Sequence, residues 1–157
     1  MIHSHADLIM RLLLAALLGA VVGYEREYFG KAAGFRTHAL VSAASSLIML
    51  VSIQIYEIYK GQVQVDPSRI AAQVVSGIGF IGAGAIIRSG ASVKGITTAA
   101  SLWAVSGIGL ACGLGFYEGA LYATAVVIMI LYIFTKLESK LIRKRGHHSD
   151  SDSEGSA

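Results

Sequence analysis

THALVSAASSLIMLVSIQIY, residues 37–56, runs twenty positions without an aspartate, glutamate, lysine or arginine. Crossing the hydrocarbon core of a bilayer takes about 17–25 helical residues, so this stretch is long enough to span one. Four more stretches of the same kind flank it. Upstream lies 12–24, which Leu8 and Arg11 extend toward a full span. Downstream lie 70–87, 95–117 and 119–135. Backbone groups in lipid must be satisfied within their own segment, so each stretch reads as a helix. The expected fold is therefore all-α: a polytopic membrane protein with about five transmembrane helices.

Composition agrees. The 157 residues are 54% hydrophobic and 15% charged, too few charges to coat a soluble domain of this size. A chain this short cannot hide five all-round apolar helices inside a water-facing shell. Eighteen glycines against one proline would weaken soluble helices, whereas in lipid they let helices approach closely. The single cysteine, Cys112, excludes an internal disulfide. The first apolar run has no lysine or arginine before Arg11 and is followed by Gly-Tyr-Glu-Arg-Glu, so it reads as an uncleaved span rather than a signal peptide.

The charges give an orientation. With five spans, one side carries Arg26, Lys31, Arg36, Arg88, Lys94, Lys136, Lys140, Arg143, Lys144 and Arg145, and the other carries Arg11, Lys60 and Arg69. Ten against three makes the first side cytoplasmic, which puts the N-terminus outside and the C-terminus inside. Residues 1–145 then form the transmembrane domain. Residues 146–157, GHHSDSDSEGSA, form a polar tail of the kind that stays disordered. Asp66-Pro67 reads as an N-cap followed by proline at the first helical position, marking the start of the third span.

Small residues recur at helical spacing. Ala15, Gly19 and Gly23 form one row, and Gly107, Ala111 and Gly115 form another beside Gly109 and Gly113. In the third span, Gly77, Gly79, Gly82 and Gly84 fall within eight residues, and Gln73, Gly77, Gly84 and Arg88 lie near one stripe. Such rows serve helix packing within a protomer, a homo-oligomer interface, or a broken helix at an ion site. Hydroxyls line two spans: Ser42, Ser45 and Ser46 in the second, Thr97, Thr98 and Ser101 in the fourth. They read mostly as interhelical hydrogen bonding. Trp103 reads as packing. His3, His5, His147 and His148 lack a second ligand pair at zinc-site spacing. Asp7, Glu57, Asp66 and Glu118 on the outer side permit no more than weak Mg²⁺ contact, so the metal assignment stays unknown and no cofactor is expected. No nucleophile–base motif or phosphate loop occurs, which argues against an enzyme. Nothing points to nucleic acid.

The cluster that stands out is polar and of mixed sign. Glu25, Arg26 and Glu27 leave the first span, Arg36 and Thr37 enter the second, Arg88 leaves the third, and Lys94 precedes the fourth. Charges at span boundaries serve as topology anchors, but anchors need only lysine and arginine, so the glutamates favour a second reading, helix ends locked together by ion pairs or a charged ligand. Glu25 is expected to pair with Arg36 or Arg88 from another helix.

The blocks GAVVGYERE (19–27), AGFRTHALV (33–41), DPSRIAAQVVSGIGFIGAGAIIR (66–88) and VKGITTAASLW (93–103) together resemble the MgtC/SapB family of bacterial inner-membrane proteins. The resemblance covers roughly residues 8 to 118. It implies a cell inner membrane protein of about five spans, linked to magnesium homeostasis under Mg²⁺ limitation and, in pathogens, to virulence and survival inside host cells. It also implies engagement of membrane machinery, including the proton-translocating ATP synthase. The family's polar positions fall on Glu25, Arg26, Arg36, Thr37, Arg88, Thr97 and Thr98, with Asp66, Arg69 and Gln73 on the outer side. Longer members continue into a soluble ACT-like domain, and this sequence stops after a basic stub. The expected function is a non-enzymatic regulator of membrane machinery; the alternative is a transporter or channel for Mg²⁺, another cation or a small solute.

Overall fold

The computed structural model describes residues 4–149, with side chains described through Leu137 except at Ser89. Five helices follow in order: α1 (His5–Tyr28), α2 (Phe35–Tyr59), α3 (Ser68–Ala85), α4 (Ile96–Leu114) and α5 (Tyr117–Ser149). A two-stranded antiparallel hairpin, β1 (Ile87–Ser89) and β2 (Ser92–Lys94), joins α3 to α4. The protein is an all-α polytopic membrane protein with one small hairpin at an end of the bundle.

Among the described residues, four helices are long and apolar enough to cross a membrane: α1, α2, α4 and the first 21 residues of α5. Where five spans were expected, four helices meet this test of length and hydropathy and α3 does not. The reason lies in α3, whose eighteen residues include Arg69, Gln73, two serines and four glycines. Even so, α3 carries the chain from one end of the bundle to the other. Its start is tied to α2 by a hydrogen bond from the Ser52 hydroxyl to the Pro67 carbonyl, and its last residue, Ala85, abuts Gly95 at the start of α4.

The core is built around α4. Leu18 and Val22 of α1, Val105, Ile108 and Cys112 of α4, and Ala120 and Leu131 of α5 form one buried cluster; Ala33, Ile78 and Leu102 form a second under α3. Small residues set the spacing. A Cβ on Gly19 would lie 2.5 Å from the His38 carbonyl oxygen, and one on Gly113 would lie 2.5 Å from that of Ser46. A Cβ on Gly109 would collide with the Ser42 carbonyl. Backbone thus meets backbone on both sides of α2, the arrangement by which membrane helices gain van der Waals contact.

Helix ends mostly extend beyond the charge-free windows. α1 begins at His5 because Ser4 caps it and because Asp7 and Arg11, at i and i+4, form a salt bridge of 3.0 Å. Asp66 accepts hydrogen bonds from the Ser68 amide at 2.8 Å and the Ser68 hydroxyl at 2.7 Å, but the expected cap shifts by one residue: α3 begins at Ser68 and Pro67 is its N-cap. α5 stays helical through 146–149, the first four residues of the expected polar tail; residues 150–157 lie outside the described residues.

Candidate functional site

The polar cluster gathers where α1 ends, α2 begins and α4 begins. Arg26 sits in the last turn of α1 and is only 1% exposed. A guanidinium cannot lose its proton, so at this depth it needs an anion beside it. Glu25 supplies one: Arg26 Nη2 donates to Glu25 Oε1 at 2.6 Å, and Nε donates to Oε2. This corrects the expected pairing. Glu25 binds its own neighbour in sequence, not Arg36 or Arg88. Those two are exposed: Arg36 lies in the first turn of α2, and Arg88 lies on β1, where its Nε donates to the Gly90 carbonyl at 3.2 Å. Water can solvate both, whereas Arg26 is walled in by packed helices and takes the nearest carboxylate.

Next to this pair lies His38, fully buried on α2. The two glycines of α1 make room for it. A Cβ on Gly23 would stand 2.9 Å from His38 Cβ and 2.7 Å from the Gly34 carbonyl, while Gly19 faces the His38 carbonyl. Both ring nitrogens are engaged. Nδ1 lies 2.9 Å from the Gly34 carbonyl oxygen, and Nε2 lies 2.9 Å from Ser101 Oγ on α4. A carbonyl only accepts, so Nδ1 carries a proton. Ser101 also reaches the Thr98 carbonyl at 2.8 Å. Its single hydroxyl proton serves either Nε2 or Thr98, and the second bond completes only if Nε2 donates as well. The His38–Ser101–Thr98 chain therefore has room for one more proton than neutral imidazole supplies.

The other anticipated residues sort by place. Thr98 is buried and Thr97 exposed at the start of α4, and Thr37 is exposed. Glu27 accepts a hydrogen bond from the Phe35 amide at 2.9 Å, holding the α1–α2 turn, and leaves no room for a side chain at Gly34. Asp66, Arg69 and Gln73 lie at the opposite end, away from the cluster. The hydrogen bonds from Ser68 hold the Asp66 carboxyl below the usual carboxylate range. Gly82 packs on Ala99, with its Cβ direction 3.5 Å from the Ala99 Cβ, whereas Gly77, Gly79 and Gly84 face open space. Inside the protomer, packing rests on Gly19, Gly23 and Gly82 and on Gly109 and Gly113. Gly107 likewise faces open space, and Gly115 takes a left-handed turn after α4.

Sequence reasoning did not single out His38 as a site, although it is the only histidine inside a charge-free window. It also missed the outer-end cluster. There Arg11 pairs with Asp7 and donates to the Gly113 carbonyl at 2.8 Å, and the Tyr117 hydroxyl reaches Asp7 at 3.4 Å. Arg11 and Asp7 thus tie α1 to the turn between α4 and α5. Glu57 is likewise paired with Lys60. Among the described residues, no three His, Cys, Asp or Glu side chains gather as a metal-ligand set.

The glycine–histidine contact between α1 and α2 and the α4 segment that meets it fall within one long match: the family model described as MgtC family aligns with residues 12–140. The chain belongs to the MgtC family. It is 42% identical over 144 residues to an Escherichia coli (strain K12) protein named "Putative magnesium transporter YhiD", covering 90% of this chain and 67% of that protein. It is 47% identical over 120 residues to "Protein MgtC" of Salmonella typhimurium (strain LT2), covering 76% of this chain and 49% of that protein. A Haemophilus influenzae protein is 39% identical over 145 residues, with 61% of its length covered. The chain thus spans about two thirds of YhiD and about half of MgtC. No solved structure matches it. Apolar helices and MgtC-family relatives together make it a multi-pass bacterial membrane protein.

Proposed function

We propose that this MgtC-family chain is a non-enzymatic regulator of inner-membrane machinery, tied to Mg²⁺ homeostasis and membrane potential, that works by docking α3 against a partner helix. The observation that carries this reading is the exposed face of α3. Arg69, Gln73, Ser76, Gly77 and Gly84 are all exposed, with Gln73 and Gly77 along the groove that α3 forms with α2. A glutamine and a serine facing lipid forgo hydrogen bonds, and open glycines invite a close helix. A partner helix satisfies both needs, supplied by a second copy of the chain or by a machine such as the ATP synthase. The Mg²⁺ link rests on the name of the Escherichia coli relative and on family membership.

Charge supports an orientation with the N-terminus outside and the C-terminus cytoplasmic. Arg26, Lys31, Arg36, Arg88 and Lys94 collect at one end of the bundle, and Arg11, Lys60 and Arg69 at the other. The basic end belongs inside.

A second reading, a Mg²⁺ transporter, is favoured by the relative's name and is separable. Purified chain in proteoliposomes loaded with a Mg²⁺ indicator should show no flux above empty vesicles, whereas a cysteine at position 77 should crosslink to a membrane protein in cells. Mg²⁺ flux by the chain alone defeats the regulator reading.

A further inference from the structure

A cavity of about 590 Å³ opens between the α1–α2 loop and the α3–α4 hairpin. Gly30, Lys31 and Ala32 line one side; Lys94, Thr97 and Thr98 line the other. Three features converge there. The first is charge: Lys31 and Lys94 both face the cavity, its lining holds no carboxylate, and neither lysine meets a carboxylate among the described residues.

The second is the start of α4. Its N-cap is Gly95, which offers no side-chain cap. The first intrahelical bond is made by the Ala99 amide to the Gly95 carbonyl, so the amides of Ile96, Thr97 and Thr98 have no acceptor within the helix. Free amides and the positive end of a helix dipole favour an anion. Gly95 itself is obligatory. Its φ is 92°, and a Cβ there would collide with the Ala85 carbonyl, so α3 presses against this turn and holds the cavity's rear wall.

The third is Thr98. It is only 3% exposed, it lines the cavity, and its hydroxyl has no hydrogen-bond partner among the described residues. Thr98 is not sealed off as the unpartnered hydroxyls of Ser42 and Ser46 are, so its hydroxyl stays reachable from the cavity and, beside free amides and two ammonium groups, marks a place for an acceptor-rich ligand. A phosphate group has several acceptor oxygens and negative charge, and fits all three features.

The geometry points to this cavity as a binding site for an anionic phosphate group, held by Lys31, Lys94, the Thr98 hydroxyl and the first amides of α4. The group belongs either to a phospholipid headgroup at the membrane surface or to free phosphate in solution. The site stands whether the chain regulates or transports.

The test uses the full chain in phosphatidylcholine nanodiscs, titrated with inorganic phosphate at constant ionic strength while the amide resonances of Thr97 and Thr98 are followed. Saturable shifts at both are expected. The double variant Lys31→Gln/Lys94→Gln should weaken them at least tenfold, and Thr98→Val should weaken them by less; Lys60→Gln, at the far end, should have no effect. Both lysines are exposed and the threonine hydroxyl is unpartnered, so these variants keep the fold, which a matched thermal midpoint verifies. Phosphatidylglycerol nanodiscs separate the sources. If the headgroup occupies the site, the two amides are already shifted there and added phosphate moves them no further. If free phosphate is the ligand, the titration is unchanged. Absence of saturable shifts in both lipids, or shifts indifferent to the lysine substitutions, would overturn the assignment.

Discussion

His38 Nε2 stands 2.9 Å from Ser101 Oγ, so a buried imidazole on α2 is held in place by α4. Removing the serine hydroxyl leaves one nitrogen of a fully buried ring unpaired. A buried polar group left unsatisfied costs about 1–3 kcal/mol. Ser101→Ala should lower the thermal midpoint in detergent accordingly. A double-mutant cycle with His38→Ala should show coupling, because each residue's contribution depends on the other. Additive effects would mean the contact contributes nothing.

Arg26 depends on Glu25. Glu25→Ala strands a guanidinium that is 1% exposed, and breaking a buried pair from one side costs about 3–5 kcal/mol. Folded yield should fall sharply. Replacing both, as Glu25→Leu with Arg26→Met, should recover much of it, because no charge is then left unpaired. Arg36→Gln and Arg88→Gln should leave stability unchanged, since neither arginine touches Glu25. A large loss with either would reinstate the interhelical pair.

Glycines should divide into two classes. Gly19→Ala and Gly113→Ala push a methyl into a neighbouring backbone carbonyl. Overpacking of this kind costs about 1–3 kcal/mol, read as reduced thermal stability. Gly79→Ala and Gly84→Ala meet open space and should be neutral or slightly stabilising in the isolated protomer. If Gly84→Ala impairs growth at low Mg²⁺ while stability holds, the exposed face of α3 is a contact surface.

Asp66 should titrate low. Its folded-state carboxyl lies below the ordinary range because the Ser68 hydroxyl and amide both donate to the ionised form. A depressed carboxylate contributes stability above the unfolded-state value, and that contribution is lost as pH falls through the folded-state value. Ser68→Ala should raise the Asp66 midpoint in a carbon-detected NMR titration. Asp66→Asn should keep an acceptor for the amide and abolish the pH dependence.

The helices were legible because charge-free runs of span length have few other readings. Their limits were not, because a scan for charge-free residues stops at the first ionisable side chain. α1 passes through both of its pairs, Asp7–Arg11 and Glu25–Arg26, since paired charges no longer oppose the helix. The hairpin was hidden for the opposite reason. Ile86 and Ile87 look like further span, and only Gly90, with φ of 59° in the two-residue turn, marks the reversal. At the site, Glu25, Arg26 and Thr98 could be named because polar residues at membrane depth are rare. Their partners could not, because an arginine finds the carboxylate that packing leaves within reach. His38 escaped notice because a histidine does not interrupt a run counted by formal charge.

The composition of α3 has a consequence for how the protein is made. A segment with an arginine and a glutamine in its first two turns gains less from leaving water than α2 or α4 does. It is joined to α4 through a tight hairpin, and its start is tied to α2 at Ser52. α3 therefore inserts as the passenger of its neighbours. A chain released from the ribosome before α4 emerges should leave α3 at the bilayer surface, and synthesis of α4 should be the event that draws it in.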